Sequence, residues 1–333
     1  MSLPETFKAL IIESKGQKPK ITNVPLKKPG KNQVLVKMEF APMNPSDMMT
    51  IQGSYPVFVS PPHGVGMEGS GTIAAVGEDL KVPQKVGDKV HVSGLGTYAE
   101  YLLTDSENCT KIKEGLPMDL AACHIVNPMT VHYMAHLVQK GGHKAAIHTA
   151  GSSVLGRMII RYFKHKGLKL INIVRRDEVI PELKEEGAEI ILNSKNPDFE
   201  EKLKEVAEKE EATICFESII GDMSGKVLSK MPNDSTMYIY GALSSNKVDN
   251  LGVEDFIFKG KTITGLWLKV YVKELVSKGE LEKVRDEVHS LLPTILKSPI
   301  QKVFSLDQFF EGQEFNEKNS SKGKVLIKPN QFD

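Results

Sequence analysis

Cysteine is almost absent from this chain. Cys109, Cys123 and Cys215 lie far apart with no C-x-x-C pair, which rules out a four-thiolate zinc site and suits a reducing compartment. Net charge is nearly absent too. Lys plus Arg number 43 against 42 Asp plus Glu, a balance of +1, so no overall field would hold the chain on nucleic acid or an anionic membrane. No apolar run approaches the roughly 18 residues of a membrane span. The N-terminal segment enters Ala9-Leu10-Ile11-Ile12 without the charged flank and apolar core of a signal peptide. These absences send the search for function to a local site.

The 333 residues are enough for two domains at about 100–200 residues each. Two local anomalies stand out. Glycine is ordinary in total, 27 residues, yet eight fall between positions 61 and 100, where an even spread gives about three. Arginine is scarce, yet Arg175 and Arg176 are adjacent.

Up to about residue 120 the chain reads as β-rich, with short runs such as Val34 to Phe40, Thr72 to Val76 and Lys89 to Val92 set between Gly-, Pro- and Lys-rich turns. Strand-like and helix-like stretches then alternate from Ala145 to Leu266. That rhythm predicts a doubly wound parallel sheet with helices on both faces. A Lys- and Glu-rich helical stretch from about Val270 to Leu296 and two strand candidates, Lys302 to Phe304 and Lys324 to Ile327, follow. The β character of this tail predicts a return to the first domain. The division expected is 1–121 with 268–333 for the β-rich domain, and 122–267 for the nucleotide-type domain.

The strand Ala145 to Thr149 runs into Ala150-Gly151-Ser152-Ser153-Val154-Leu155-Gly156 and then a helix with one apolar face. A dinucleotide pyrophosphate rests at such a helix N-terminus, where unpaired N–H groups and the helix dipole favour an anion. Gly151 and Gly156 suit the tight turn and close packing, whereas Val154 takes the place of a middle glycine. An ordinary strand-to-helix turn is the alternative. A reader of the ribose is expected about 20 residues on, acidic for NAD and cationic for NADP. Arg175 and Arg176 stand 19 and 20 residues beyond Gly156. A guanidinium matches a phosphate bidentately, so the pair points to a 2′-phosphate, with a solvated surface pair as the alternative and Asp177 as the competing carboxylate.

Asn44-Pro45-Ser46-Asp47, Ile51-Gln52-Gly53-Ser54-Tyr55-Pro56, Gly66-Met67-Glu68-Gly69-Ser70-Gly71 and Val86-Gly87-Asp88-Lys89-Val90 resemble successive signatures of the zinc-independent branch of the medium-chain dehydrogenase/reductase superfamily. The resemblance covers nearly the whole chain. It implies an α/β protein with a GroES-like β-rich catalytic domain and a Rossmann-type domain. Val126-Asn127-Pro128-Met129-Thr130, Ile171-Asn172-Ile173-Val174-Arg175, Tyr240-Gly241-Ala242 and Gly265-Leu266-Trp267-Leu268 are most similar to the NADPH-dependent 2-enoyl thioester reductases of fatty acid synthesis, with quinone reductases as near relatives.

The resemblance implies NADPH as cofactor and a hydride passed to the β carbon of an enoyl thioester, with a proton added at the α carbon. Tyr55 would be the candidate acid and Asn44 a neighbour of the nicotinamide. Trp267 would wall the substrate pocket. Gly151, Ser152, Ser153 and Gly156 would face the pyrophosphate, Arg175 and Arg176 the 2′-phosphate, and Gly241 and Ala242 the nicotinamide side, while Asn127 and Thr130 would approach the cofactor as a polar pair. No zinc is expected, because Asn44 and Met67 stand where zinc-dependent relatives need cysteine and histidine. Further expectations are a homodimer through the edge strand Thr262 to Leu266, a mitochondrial matrix or cytoplasmic location, and no nucleic-acid partner. Val154 and Ile220 depart from family glycines and would crowd a ligand or force backbone angles that glycine alone tolerates. They motivate an alternative, a catalytically silent relative within a larger assembly. Quinone or enone reduction is the other alternative.

Overall fold

The computed structural model describes residues 3–56 and 60–330. The chain forms two compact units: Met1–Val126 with Lys297–Asp333, and Asn127–Leu296.

In the first unit, the strands Gln33–Pro42, Glu68–Val76 and Lys89–Ser93 pair antiparallel in succession. The returning tail joins the same sheet, with Lys324–Lys328 antiparallel to the end of Gln33–Pro42 and parallel to Ile300–Ser305. This is the return predicted for the C-terminal strands. Two apolar clusters fill the unit, one on Val34, Val36, Ile73 and Val90, the other on Leu10, Met43, Phe304 and Phe309. Part of the glycine cluster serves the sheet itself. A Cβ at Gly71 would sit 2.5 Å from the Lys37 carbonyl oxygen, and one at Gly69 would sit 2.7 Å from that of Phe40.

The second unit holds the parallel sheet. Its six strands lie in the order Ile190–Asn193, Lys169–Val174, Ala145–His148, Ile214–Glu217, Thr236–Ile239, Thr262–Gly265. Numbered along the chain, the order is 3-2-1-4-5-6, reversing beside Ala145–His148. In open α/β sheets ligands bind beyond the carboxyl ends of the strands at such a reversal. Ile147, Ile171, Ile173 and Cys215 pack on Leu203 and Val227 of the covering helices.

The boundaries differ from those predicted. The helices Leu268–Lys278 and Leu281–Leu291 belong to the second unit. Tyr271 stacks on Tyr133 with ring centres 4.3 Å apart, Tyr162 and Lys166 donate to Glu287, and Arg161 donates to the Ile295 carbonyl. Local periodicity could assign helix to this stretch but not its partner, since these contacts span more than 100 residues.

Candidate functional site

In the first unit, Asn44 and Tyr55 belong to one short segment. Asn44 opens the helix Pro45–Ile51, and its N–H donates to Asp47 Oδ2 at 2.9 Å. Two N–H groups after the helix, those of Ser54 and Tyr55, donate to the Met49 carbonyl, which fixes where the half-buried Tyr55 leaves the turn.

Asn44 is fully buried and stands in a polar network the sequence did not assign. Its Nδ2 donates to Glu68 Oε1 at 2.9 Å, and its Oδ1 accepts from the Lys324 ammonium. Glu68 Oε2 accepts the N–H groups of Ile125 at 2.7 Å and Val126 at 3.2 Å. Burial pushes the Glu68 carboxyl up from its ordinary value, against the pull of the Lys324 charge and these donors. Asp47 lies beside this network. Burial pushes it up to about 7, opposed by the Asn44 N–H and the Tyr98 hydroxyl. The Tyr98 hydroxyl lies 2.9 Å from both Asp47 Oδ2 and the Pro42 carbonyl oxygen. The hydroxyl has one proton for these two acceptors, so it donates to one of them at a time.

In the second unit the predicted phosphate residues come together at the carboxyl edge of the sheet. Ser153 caps the helix Val154–His165, its hydroxyl accepting the Gly156 N–H at 3.0 Å. The Gly151 N–H donates to the Ile173 carbonyl of the neighbouring strand at 2.9 Å, so the loop is tied to the strand that ends at Arg175. Ala150 holds φ 58°, and a Cβ on Gly156 would meet the Gly151 and Ala150 carbonyl oxygens at 2.5 and 2.6 Å. The close packing predicted for Gly156 is therefore against the loop's own backbone. This glycine-lined turn, capped at a helix start, fits a pyrophosphate.

Val154 does not demand glycine angles. It opens the helix, lies outside the positive-φ residues and is 7 % exposed, its side chain turned into the unit. Ile220 does demand them, at φ 67°. Its N–H donates to Glu217 Oε1 at 2.5 Å, which pins a turn that costs a branched residue about 1–3 kcal/mol.

Arg175 and Arg176 are both exposed at the end of the second strand. Asp177 next to them accepts Asn193 Nδ2 at its Oδ1, at 2.8 Å. Gly241 follows the fifth strand, and a Cβ there would press on Ser218 at 3.0 Å. Ala242 beside it is exposed. Trp267 is half-buried after the sixth strand, with Lys269 Nζ 5.6 Å from its ring centre. Asn127 and Thr130 lie buried in the first two turns of the helix Val126–Lys140. A Thr149–Ser218 link escaped sequence reading: the Ser218 N–H donates to Thr149 Oγ1 at 3.0 Å, joining the two strands at the reversal.

A GroES-like β unit together with a 3-2-1-4-5-6 parallel sheet carrying a phosphate-type loop defines a class, the dinucleotide-dependent oxidoreductases. Residues 30–114 match the model for the alcohol dehydrogenase GroES-like domain, and residues 154–283 the model for zinc-binding dehydrogenases. The mitochondrial enoyl-[acyl-carrier-protein] reductase of Caenorhabditis elegans is 33% identical over 250 residues, 72% of this chain and 70% of that protein. The Arabidopsis thaliana protein of the same name is 28% identical over 295 residues, 86% and 77% of the two chains. Among solved structures, a protein described as an NADPH:quinone reductase from Mesorhizobium loti superposes with a TM-score of 0.89 at 29% identity, over 99% of this chain and 100% of that one. The Etr1p/NADP/crotonyl-CoA complex superposes at 0.78 and 23% identity, over 97% and 100%. The chain belongs to the medium-chain dehydrogenase/reductase superfamily, and it is an oxidoreductase.

Proposed function

We propose that the protein reduces 2-enoyl thioesters with NADPH. The observation that carries the cofactor is the arginine pair beyond the second strand, with the adjacent Asp177 held by Asn193. Two guanidiniums beside a phosphate-type loop favour a 2′-phosphate over a bare ribose diol. The substrate class draws its support from the relatives named as enoyl reductases and from the crotonyl-CoA held by Etr1p.

When bound, the nicotinamide supplies the hydride. The chain's own part is to hold the enoyl thioester, stabilise the enolate oxygen and deliver a proton. The Tyr55 hydroxyl is the candidate proton donor, and an Asn44 N–H is the candidate donor to the thioester oxygen or the carboxamide. Trp267 walls the acyl pocket, Gly151 to Gly156 hold the pyrophosphate, Gly241 and Ala242 border the nicotinamide, and Asn127 and Thr130 orient it. The reaction is proposed to need no zinc, since Asn44 offers an amide oxygen already occupied by an ammonium and Met67 a thioether, neither a usual zinc ligand.

Incubation with crotonyl-CoA should oxidise NADPH at 340 nm, and Tyr55→Phe should lower kcat about 100-fold with NADPH affinity unchanged. No oxidation with any enoyl chain length overturns the proposal. The full-length match to the quinone-reductase-like structure at 29% identity favours one second reading, reduction of quinones. A quinone turned over with NADPH, and thioesters refused, would decide for it. The relatives' names support a mitochondrial location, which fractionation of the source cells checks. A homodimer through the edge strand Thr262–Gly265 completes the proposal.

A further inference from the structure

The buried network around Asn44 places opposite charges at the two ends of one side-chain amide. Lys324, 5 % exposed, donates to Oδ1, and Glu68, 1 % exposed, accepts from Nδ2. An amide dipole has its negative end at oxygen and its positive end at the N–H groups, so this arrangement opposes any flip of the amide. Removing an ammonium and a carboxylate from water costs several kcal/mol per ion, and well-packed apolar residues often do as well or better for stability. Two buried charges spent on one amide are therefore a poor way to stabilise a β-rich unit and an effective way to orient it. The amide carries two N–H groups, and Glu68 accepts one of them.

We infer that Lys324 and Glu68 are positioning residues that clamp the Asn44 amide and fix the direction of its N–H groups. This rests on the proposed function for what Asn44 donates to. Glu68 also holds a second segment of the first unit through the same carboxylate, since Oε2 receives the Ile125 and Val126 N–H groups. The clamp thus links the strand Glu68–Val76, the tail strand Lys324–Lys328, the Asn44 turn and the Ile125–Val126 segment.

The test compares Lys324→Gln/Glu68→Gln, which removes both charges and leaves neither buried alone, with Asn44→Ala and with all three changes together. The paired variant should lower kcat for crotonyl-CoA at least 10-fold with KM for NADPH within about twofold. Adding it to Asn44→Ala should change kcat no further, because the clamp acts through Asn44. Multiplying losses, or a paired variant with the parent kcat, would overturn the inference. Lys324→Arg, which keeps the charge, should recover most of the activity lost in Lys324→Gln. Should the paired variant not fold, Lys324→Met/Glu68→Gln takes its place. A parent inactive on thioesters would sink the proposed function and leave the clamp to a second readout, the 15N-resolved side-chain amide protons of Asn44. They should be two well-separated resonances in the parent and move together in the paired variant; unchanged resonances count against the clamp.

Discussion

Gly156 has no room for a side chain. A Cβ would lie 2.5 Å from the Gly151 carbonyl oxygen, so Gly156→Ala must push the loop off the helix start. The expected result is a loss of about 1–3 kcal/mol, as for overpacking elsewhere, and at least a 10-fold weaker NADPH affinity, read by thermal unfolding and fluorescence titration. The arginines are separable from this. Arg175→Ala/Arg176→Ala touches two exposed side chains, so stability should hold within about 0.5 kcal/mol, while the Kd for NADPH rises at least 30-fold and that for NADH barely moves. Equal weakening of both cofactors would remove the 2′-phosphate role. At this scale the sequence was uneven as a guide. The glycine at 156 and the arginine pair were legible, because spacing from a strand-to-helix turn locates them. Of the two glycine replacements, only Ile220 carries the strained angle, a distinction that depends on whether a residue begins a helix or precedes one. Glu68 lay in a quoted motif without a role, and Lys324 was one lysine among many. Its meaning comes from Asn44, 280 positions away.

The helix Pro45–Ile51 and the strand Lys89–Ser93 carry opposed titrations into the first unit. Folded Asp47 keeps its proton up to about 7, whereas the unfolded chain releases it near 3.8. Between those values the folded state holds the extra proton, so this group's contribution falls as pH rises, by about 4 kcal/mol in all. His91 acts in the other direction. Burial lowers it to about 4 despite its contact with the Ala121 carbonyl, so its contribution is lost as pH falls from 6.5 toward 4. Asp47→Asn isolates the first effect. An asparagine can offer an oxygen to the Asn44 N–H or an N–H to Tyr98 but not both at one atom, a cost of about 1–3 kcal/mol that does not vary with pH. The variant should therefore fare worst against the parent near pH 4.5 and match or exceed it by pH 7.5, measured as urea midpoints. A gap that stays constant across that range would show that Asp47 is ionised throughout. The elements themselves were largely legible, because buried parallel strands and amphipathic helices repeat on different periods. The two helices after residue 267 were readable as helices, but their membership in the second unit depends on Tyr271 meeting Tyr133.

For the whole molecule, the open question the sheet poses is its last strand. Among the described residues Thr262–Gly265 pairs on one side only, with Thr236–Ile239, and three of its four residues are exposed. An edge of this kind pairs with another chain unless it is covered or charged. The segment before it adds apolar surface, with Phe258 80 % exposed and Val253 and Ile257 close to two-thirds exposed, more than a soluble monomer ordinarily leaves in one stretch. A second copy meeting this edge across a two-fold axis would pair the two strands and cover both apolar segments at once, since an isologous interface uses the same patch twice. Light scattering should then give twice the 36.8 kDa chain mass. Ile257→Glu/Phe258→Glu should shift the mass to the monomer while leaving the fold intact, because neither side chain is buried within the chain. A dimer that survives those two charges would place the interface elsewhere, and a parent that runs as a monomer would mean that a different partner covers the edge.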